Sequence, residues 1–86
     1  MIPKNISKEH VLKAIEKFDK EGLPDKLSDS QYYDIVYNEK KYPPKVIMSF
    51  ANLFANNEIL NRNHFAGGSY LNKRFQDIGF EIATKN

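Results

Sequence analysis

Cysteine is absent from the 86-residue chain, and no stretch of it is long and apolar. Without cysteine the chain has no disulfide scaffold and no cysteine-ligated zinc site, which fits a cytoplasmic protein. Its longest apolar runs, such as residues 46–48, fall far short of the roughly 20 residues of a membrane-spanning helix. The first ten residues lack the apolar core of a signal peptide. We therefore expect neither export nor a membrane partner.

The residue sets that catalysis requires are also missing. His10 and His64 lie far apart in the chain without metal-ligand spacing, so each is expected at the surface or in a helix cap. Residues 61–64 resemble a metal-nuclease loop only superficially, because a second histidine and acidic partners are lacking. Neither a nucleophile elbow nor paired carboxylates occur, and the nucleotide-binding pattern GxxxxGK[ST] is absent. We expect no enzyme activity, no catalytic residue, no metal and no cofactor.

The composition that remains is that of a folded domain. Hydrophobic residues make up 41 %, with six Phe and five Tyr, which argues against disorder and predicts one domain over residues 1–86. The net charge of +2 is unevenly distributed: residues 1–39 hold six lysines against eight acids, and residues 40–86 hold seven Lys or Arg against three acids. A basic second half suits a nucleic-acid-binding face, although an ordinary solvated surface looks the same.

Periodicity and capping signals predict six elements in the order α-β-β-α-α-β. We expect helices near residues 8–21, 44–56 and 69–78, and strands over 32–37, 40–42 and 80–84. Ser7 and Ser69 are the expected N-caps of the first and third helices, and Pro44 opens the second. At the end of the first helix, Gly22 is expected in the left-handed conformation. The fold class is therefore small α+β, with three helices packed on a short three-stranded sheet.

The second helix is expected to be central because it is apolar around most of its circumference. Its predicted apolar band consists of Val46, Ile47, Phe50, Leu53 and Phe54. The loop that follows it is expected to be anchored by Ile59, Leu60 and Phe65.

Asn38 and Glu39 form the expected turn of the hairpin. Asparagine accepts positive φ, whereas glutamate is a poor second residue of a type I′ turn, so a turn extended through Lys40 is the alternative. Strand alternation places Tyr33, Ile35 and Tyr37 on one face of the sheet.

Tyrosines and lysines interleave over residues 32–45, from the hairpin into the second helix. Aromatic rings stack on bases and lysines neutralise phosphates, but tyrosines also pack on half-exposed sheets. Lys40 and Lys41 project to opposite faces, so a ligand meets both only if it grips the hairpin edge. Lys45 lies in the first turn of a helix, where a cation costs a few tenths of a kcal/mol, and an anion would offset this cost.

Gly67, Gly68 and Ser69 precede the third helix in a pattern typical of an anion nest. A tight turn followed by a helix cap is the alternative. The amide of Asn72, on the same helix, is of a kind that reads base edges. If the second and third helices begin at the same end of the sheet, Lys45, Lys73 and Arg74 form one anion-binding rim.

Four segments resemble a known family: residues 33–38 (YDIVYN), 41–46 (KYPPKV), 65–68 (FAGG) and 78–81 (IGFE). Together they are similar to the N-terminal head domain of ScoMcrA-type modification-dependent restriction endonucleases, with related copies before nuclease or McrB-like modules of other bacterial defence proteins. The resemblance covers roughly residues 8–84. The chain departs from the family pattern at Glu39, where glycine is common, and at Val46, where alanine is frequent. The resemblance implies an accessory domain of a DNA-targeting, antiphage defence protein.

Two functions follow as alternatives. One is a non-catalytic nucleic-acid-binding module whose ligand, expected to be DNA, binds weakly and in a salt-sensitive way. The other is a module that docks onto a partner domain or subunit, or that oligomerises; a large exposed apolar patch would favour it. The predicted nucleic-acid-binding residues are Lys40, Lys41, Tyr42, Lys45, Gly67, Gly68, Ser69, Asn72, Lys73 and Arg74.

Overall fold

The computed structural model describes residues 2–22, 33–60, 65 and 68–84. The described elements are α1 (Lys8–Glu21), β1 (Tyr33–Tyr37), β2 (Lys40–Tyr42), α2 (Pro44–Asn56), α3 (Ser69–Asp77) and β3 (Glu81–Thr84). The predicted α+β class and the predicted order of elements are confirmed. The helix bounds agree with the predicted ones to within one residue, and β3 begins one residue later than expected.

The cap of α1 is built by Ser7 and His10. The backbone N–H of Ser7 donates to Nδ1 of His10 at 3.0 Å, which satisfies a backbone donor that the helix itself cannot pair. Ile6 and Val11, on either side of this cap, are both buried, as a hydrophobic staple requires. The expected N-cap and the capping role of His10 are thus confirmed. Gly22 has φ 73° and ψ −161°, a glycine-specific conformation outside the predicted left-handed helical region.

The hairpin turn contains two residues, and both have positive φ. The angles are 53° at Asn38 and 66° at Glu39, and Tyr37 pairs directly with Lys40. Two positive φ values are typical of a type I′ turn, whose twist matches that of the flanking strands. The alternative of a longer turn through Lys40 is therefore wrong.

The sheet has the strand order β2-β1-β3, and both pairings are antiparallel. Ile35 in the middle strand lies opposite Tyr42 on one side and Ile82 on the other, so these three side chains share one face. Ile35 and Tyr42 are fully buried, which identifies this face as the one that packs on the core. Among the described strands, β2 forms one edge of the sheet and is followed at once by the buried Pro43.

The core is organised around α2, as predicted, and α1 packs along it. The helix is buried at Pro44 and at every position from Val46 to Asn52. The predicted apolar band is wrong at its end, because the Phe54 side chain is 40 % exposed. Ile59, predicted to anchor the next loop, is 45 % exposed, whereas the anchoring role of Phe65 is confirmed by its burial.

Candidate nucleic-acid interface

Lys40 and Lys41 are exposed on the edge strand β2. In the strand register Lys40 lies opposite Tyr37 and Lys41 opposite Val36, so the two side chains project to opposite faces of the sheet. Within the described part of the chain, neither lysine has a hydrogen-bond or ion-pair partner. A ligand that lies along this edge can therefore reach both ammonium groups.

Tyr42, the next residue of the same strand, belongs to the core. Its side chain is 2 % exposed, and its ring meets Phe18 edge-on with the ring centroids 5.6 Å apart. Its hydroxyl donates to the carboxylate oxygens of Asp19 at 2.9 and 3.1 Å. Burial and then this hydrogen bond raise the pKa of Tyr42 from 10.0 to about 12. Because the ring offers no open face to a base, Tyr42 is not part of the interface.

Tyr37, rather than the predicted Tyr42, is the exposed tyrosine of the hairpin. It was not among the predicted contact residues, yet its side chain is 37 % exposed at the end of the hairpin. Its ring lies 5.8 Å from that of Phe80, with an angle of 59° between the ring planes. The Lys8 ammonium lies 5.9 Å from the centroid of the same Phe80 ring. We call Lys8, Tyr37, Lys40 and Lys41 together the hairpin-end surface.

Only part of this surface had a sequence signal. Strand alternation predicts the sheet face on which Tyr37 and Lys40 lie. The contact of Lys8 with Phe80, in contrast, depends on packing between α1 and the segment before β3. Nothing local in the sequence indicates that a lysine in the first turn of α1 reaches Phe80.

Lys45 lies in the first turn of α2, as predicted, and is half-buried. Its ammonium is 5.5 Å from the centroid of the Phe65 ring. A cation–π contact of this kind is worth about 0.5 to 2 kcal/mol, which exceeds the unfavourable interaction with the helix dipole. The protein itself therefore supplies a reason for a cation at this helix start.

Gly68, rather than the predicted Ser69, is the N-cap of α3. Gly68 has φ 79° and ψ −147°, which a residue with a side chain rarely adopts, and Ser69 is the first helical residue. The backbone N–H of Asn72 donates to the carbonyl of Gly68 at 2.9 Å and closes the first turn. Gly67 lies outside the described residues, so the anion nest stays a prediction.

The three side chains of α3 that were predicted to contact nucleic acid have different surroundings in the protein. Asn72 is 7 % exposed, and its buried Oδ1 has no hydrogen-bond partner. Lys73 forms an exposed ion pair with Asp77 at 3.2 Å. Arg74 donates from Nη2 to the carbonyl of Pro3 at 2.9 Å. The two cations thus have separate partners, and the rim of Lys45, Lys73 and Arg74 stays a prediction.

The described residues contain neither a cluster suited to a metal ion nor a membrane-spanning helix. In residues 2–22, 33–60, 65 and 68–84, no group of three or more His, Asp or Glu side chains is placed to hold a metal ion. His64 and the rest of the segment 61–64 lie outside those ranges. None of the described helices is both long and apolar enough to cross a bilayer.

A family model, described as the ScoMcrA-like N-terminal head domain, matches residues 4–84. The chain belongs to this family. The match confirms the resemblance noted in the sequence and spans all six described elements of the head domain, including the hairpin-end surface. No curated protein and no solved structure matches this chain.

Proposed function

We propose that this head domain is a non-catalytic accessory module of a bacterial restriction or antiphage defence protein. The module binds nucleic acid, and its main ligand is DNA. Family membership supports the defence context. The observation that carries nucleic-acid binding is the pair of exposed lysines on the hairpin edge beside the exposed ring of Tyr37. Lysines that track phosphates beside an aromatic ring are typical of binding without sequence selectivity. The absence of cysteine favours a cytoplasmic location.

The charge of the hairpin-end surface predicts weak binding. Its three lysines lie near two exposed acids: Glu39 in the turn, and Glu81, whose strand register puts it on the same sheet face as Lys41. These acids offset part of the attraction to phosphates. With two or three phosphates neutralised, the log–log dependence of affinity on salt should have a slope of about −2 to −3, since each contributes about −0.9.

Fluorescence anisotropy with a labelled duplex DNA at several salt concentrations tests this proposal. The double variant Lys40→Gln/Lys41→Gln should bind more weakly at low salt and flatten the slope by about 2. The matched control is Lys4→Gln/Lys13→Gln, which removes two exposed lysines elsewhere and leaves the same net charge. Equal losses in the two variants would show binding by overall charge alone. The absence of salt-sensitive binding to both duplex and single-stranded DNA would contradict the proposal.

A second function, docking onto a partner domain or subunit, is favoured by a separate observation. Phe54 and Ile59 are 40 % and 45 % exposed near the end of α2, on either side of the helix-ending Asn57. Sedimentation of the wild-type domain and of Phe54→Ala/Ile59→Ser tests whether these side chains mediate self-association. A wild-type mass at a multiple of 10.0 kDa that falls to the monomer value in the variant would support this second function.

A further inference from the structure

We propose that Tyr37 is a stacking platform for a single unpaired base, with Lys40 and Lys8 placed to hold its flanking phosphates. The hairpin-end surface would then select single-stranded or base-flipped nucleic acid over an intact duplex. This inference rests on the proposed function and adds the class of ligand to it. Tyr37 and Lys8 are both absent from the predicted nucleic-acid-binding residues, although Tyr37 belongs to the segment 32–45 in which tyrosines and lysines interleave.

The ring of Tyr37 is positioned by a series of aromatic contacts that reaches the core. Its neighbour Phe80 is buried and meets the fully buried Phe75 edge-on, with the centroids 6.3 Å apart. Tyr37 is thus anchored on one side by packed rings while more than a third of its side chain stays exposed. An aromatic side chain held in this way loses little conformational entropy when a base stacks on it.

The fold places one lysine opposite Tyr37 in the hairpin and a second against the Phe80 ring that Tyr37 contacts. Lys40 is the direct cross-strand partner of Tyr37, on the same sheet face, which places the two Cβ atoms about 5 Å apart. The Lys8 ammonium rests on Phe80, the ring that Tyr37 contacts, and lies beside Gly79, where a Cβ atom would be 3.6 Å from it. A base on Tyr37 would therefore have a cation available for a phosphate of its own strand.

The geometry favours an unpaired base for a chemical reason. In a duplex the faces of the bases are covered by stacking, and only their edges reach the grooves. A tyrosine ring gains the stacking energy of a base only when that base has left its stack, as in single strands or flipped nucleotides. Exposed lysines alone make no such distinction between single strand and duplex.

Tyr70 provides a matched control within the same domain. It is 54 % exposed, more than Tyr37, but it has no ring contact with another described residue. The lysine one turn further along its helix, Lys73, is paired with Asp77. Both tyrosines thus have an exposed ring. Among the described residues, only Tyr37 also packs against buried rings and has nearby lysines without an ion-pair partner.

The test compares a labelled oligothymidylate with a duplex of the same length, by anisotropy at low salt, for the whole 86-residue chain. Wild type should bind the single strand more tightly. Tyr37→Ala should weaken single-strand binding by about 5-fold to about 150-fold, the range for loss of one stacked base, and should weaken duplex binding much less. Tyr37→Phe, which keeps the ring, should bind like wild type, and so should Tyr70→Ala.

Failure of this inference is distinguishable from failure of the proposed function. Single-strand binding that keeps its full affinity in Tyr37→Ala, or that falls equally in Tyr70→Ala, would overturn the stacking role and leave phosphate binding in place. A wild-type preference for the duplex would overturn it as well. Absence of salt-sensitive binding to either nucleic acid would overturn the proposed function itself. A thermal melt of each variant ensures that only folded protein is compared. If Tyr37→Ala unfolds, Tyr37→Leu replaces it, because leucine keeps apolar bulk but has no aromatic face, and the same loss of single-strand binding is expected.

Discussion

The hairpin and the third helix each carry two cations beside an exposed tyrosine, and the two regions hold these cations differently. On the hairpin, Lys40 and Lys41 are exposed on an edge strand with no ion-pair partner in the described residues. On α3, Lys73 pairs with Asp77 and Arg74 donates to the Pro3 carbonyl. The hairpin lysines therefore remain exposed to solvent, while α3 uses its cations in contacts within the protein.

The difference follows from the geometry of the two elements. A helix brings side chains four residues apart together, so Lys73 meets Asp77 within one turn. A short edge strand has a neighbour on one side only, and the residue opposite Lys40 is the aromatic Tyr37. Similar residues thus stay without an ion-pair partner among the described residues in one place and form contacts within the protein in the other.

The largest expected effect tests the structural role of α3. Phe75→Ala removes a fully buried ring that contacts Phe80, so the free energy of unfolding should fall by about 3 to 5 kcal/mol. Tyr70→Ala on the same helix should change it by less than about 0.5 kcal/mol, because the side chain is mostly solvated. Urea denaturation measures both. Equal stability of the two variants would mean that α3 does not pack on the core through Phe75.

Arg74→Gln tests whether this cation holds the fold together. Loss of the charged hydrogen bond to Pro3 should lower the free energy of unfolding by about 2 kcal/mol, without weakening nucleic-acid binding. Lys73→Gln, which breaks only an exposed ion pair, should cost less than about 0.5 kcal/mol. Stability is read from denaturant unfolding and affinity from anisotropy. A stable Arg74→Gln domain that has lost its affinity would place the interface on α3 instead.

Tyr42→Phe and Tyr37→Phe compare what the hydroxyl groups of the buried and the exposed tyrosine of the hairpin contribute to stability. Removing the hydroxyl that donates to Asp19 should lower the free energy of unfolding by about 1.5 kcal/mol at neutral pH. Tyr37→Phe, which removes a partly exposed hydroxyl of the same hairpin, should leave stability near the wild-type value. Unfolding curves at pH 7 for the two variants give the comparison, and the reverse order of stabilities would contradict the assignment.

The stability difference between wild type and Tyr42→Phe should also depend on pH in the alkaline range. The pKa of Tyr42 is about 12 in the folded protein and 10.0 ordinarily, so the unfolded chain releases this proton first. The contribution of Tyr42 to stability is complete below pH 10 and is lost as the pH rises towards 12. The gap in unfolding free energy between wild type and Tyr42→Phe should therefore narrow over that interval. A gap that stays constant from pH 9 to pH 12 would show that the hydroxyl is not held by Asp19.

Local patterns predicted most of the fold because they depend on near neighbours. The cap at Ser7, the prolines before α2 and the strand alternation all act within a few residues. The turn at Glu39 is a case where a distant constraint overrides a local preference. Shifting the register by one residue would turn Ile35 and Tyr42 out of the core, so the chain accepts a positive φ at a glutamate.

The candidate site was harder to predict because exposure is decided by partners distant in the chain. Tyr42 and Tyr37 both belong to the hairpin, but Tyr42 packs against α1 and is buried, whereas Tyr37 is exposed. Arg74 looks like a ligand contact in the sequence, and only the path of the segment around Pro3 gives it a protein partner. The exposure of Phe54 also depends on distant partners, since helical periodicity does not say which part of the apolar band of α2 other elements cover. The same holds for Ile59 in the segment that follows α2.

A titration of the isotopically labelled domain with an oligothymidylate, followed by backbone amide chemical shifts, tests the central claim most directly. The claim is that the hairpin-end surface, and not the start of α3, contacts nucleic acid. The amides of Tyr37, Lys40, Lys41 and Lys8 should shift in a saturable manner that added salt reverses, while those of Ser69 to Lys73 stay in place. Shifts centred on Ser69 to Lys73 with an unperturbed hairpin would contradict it.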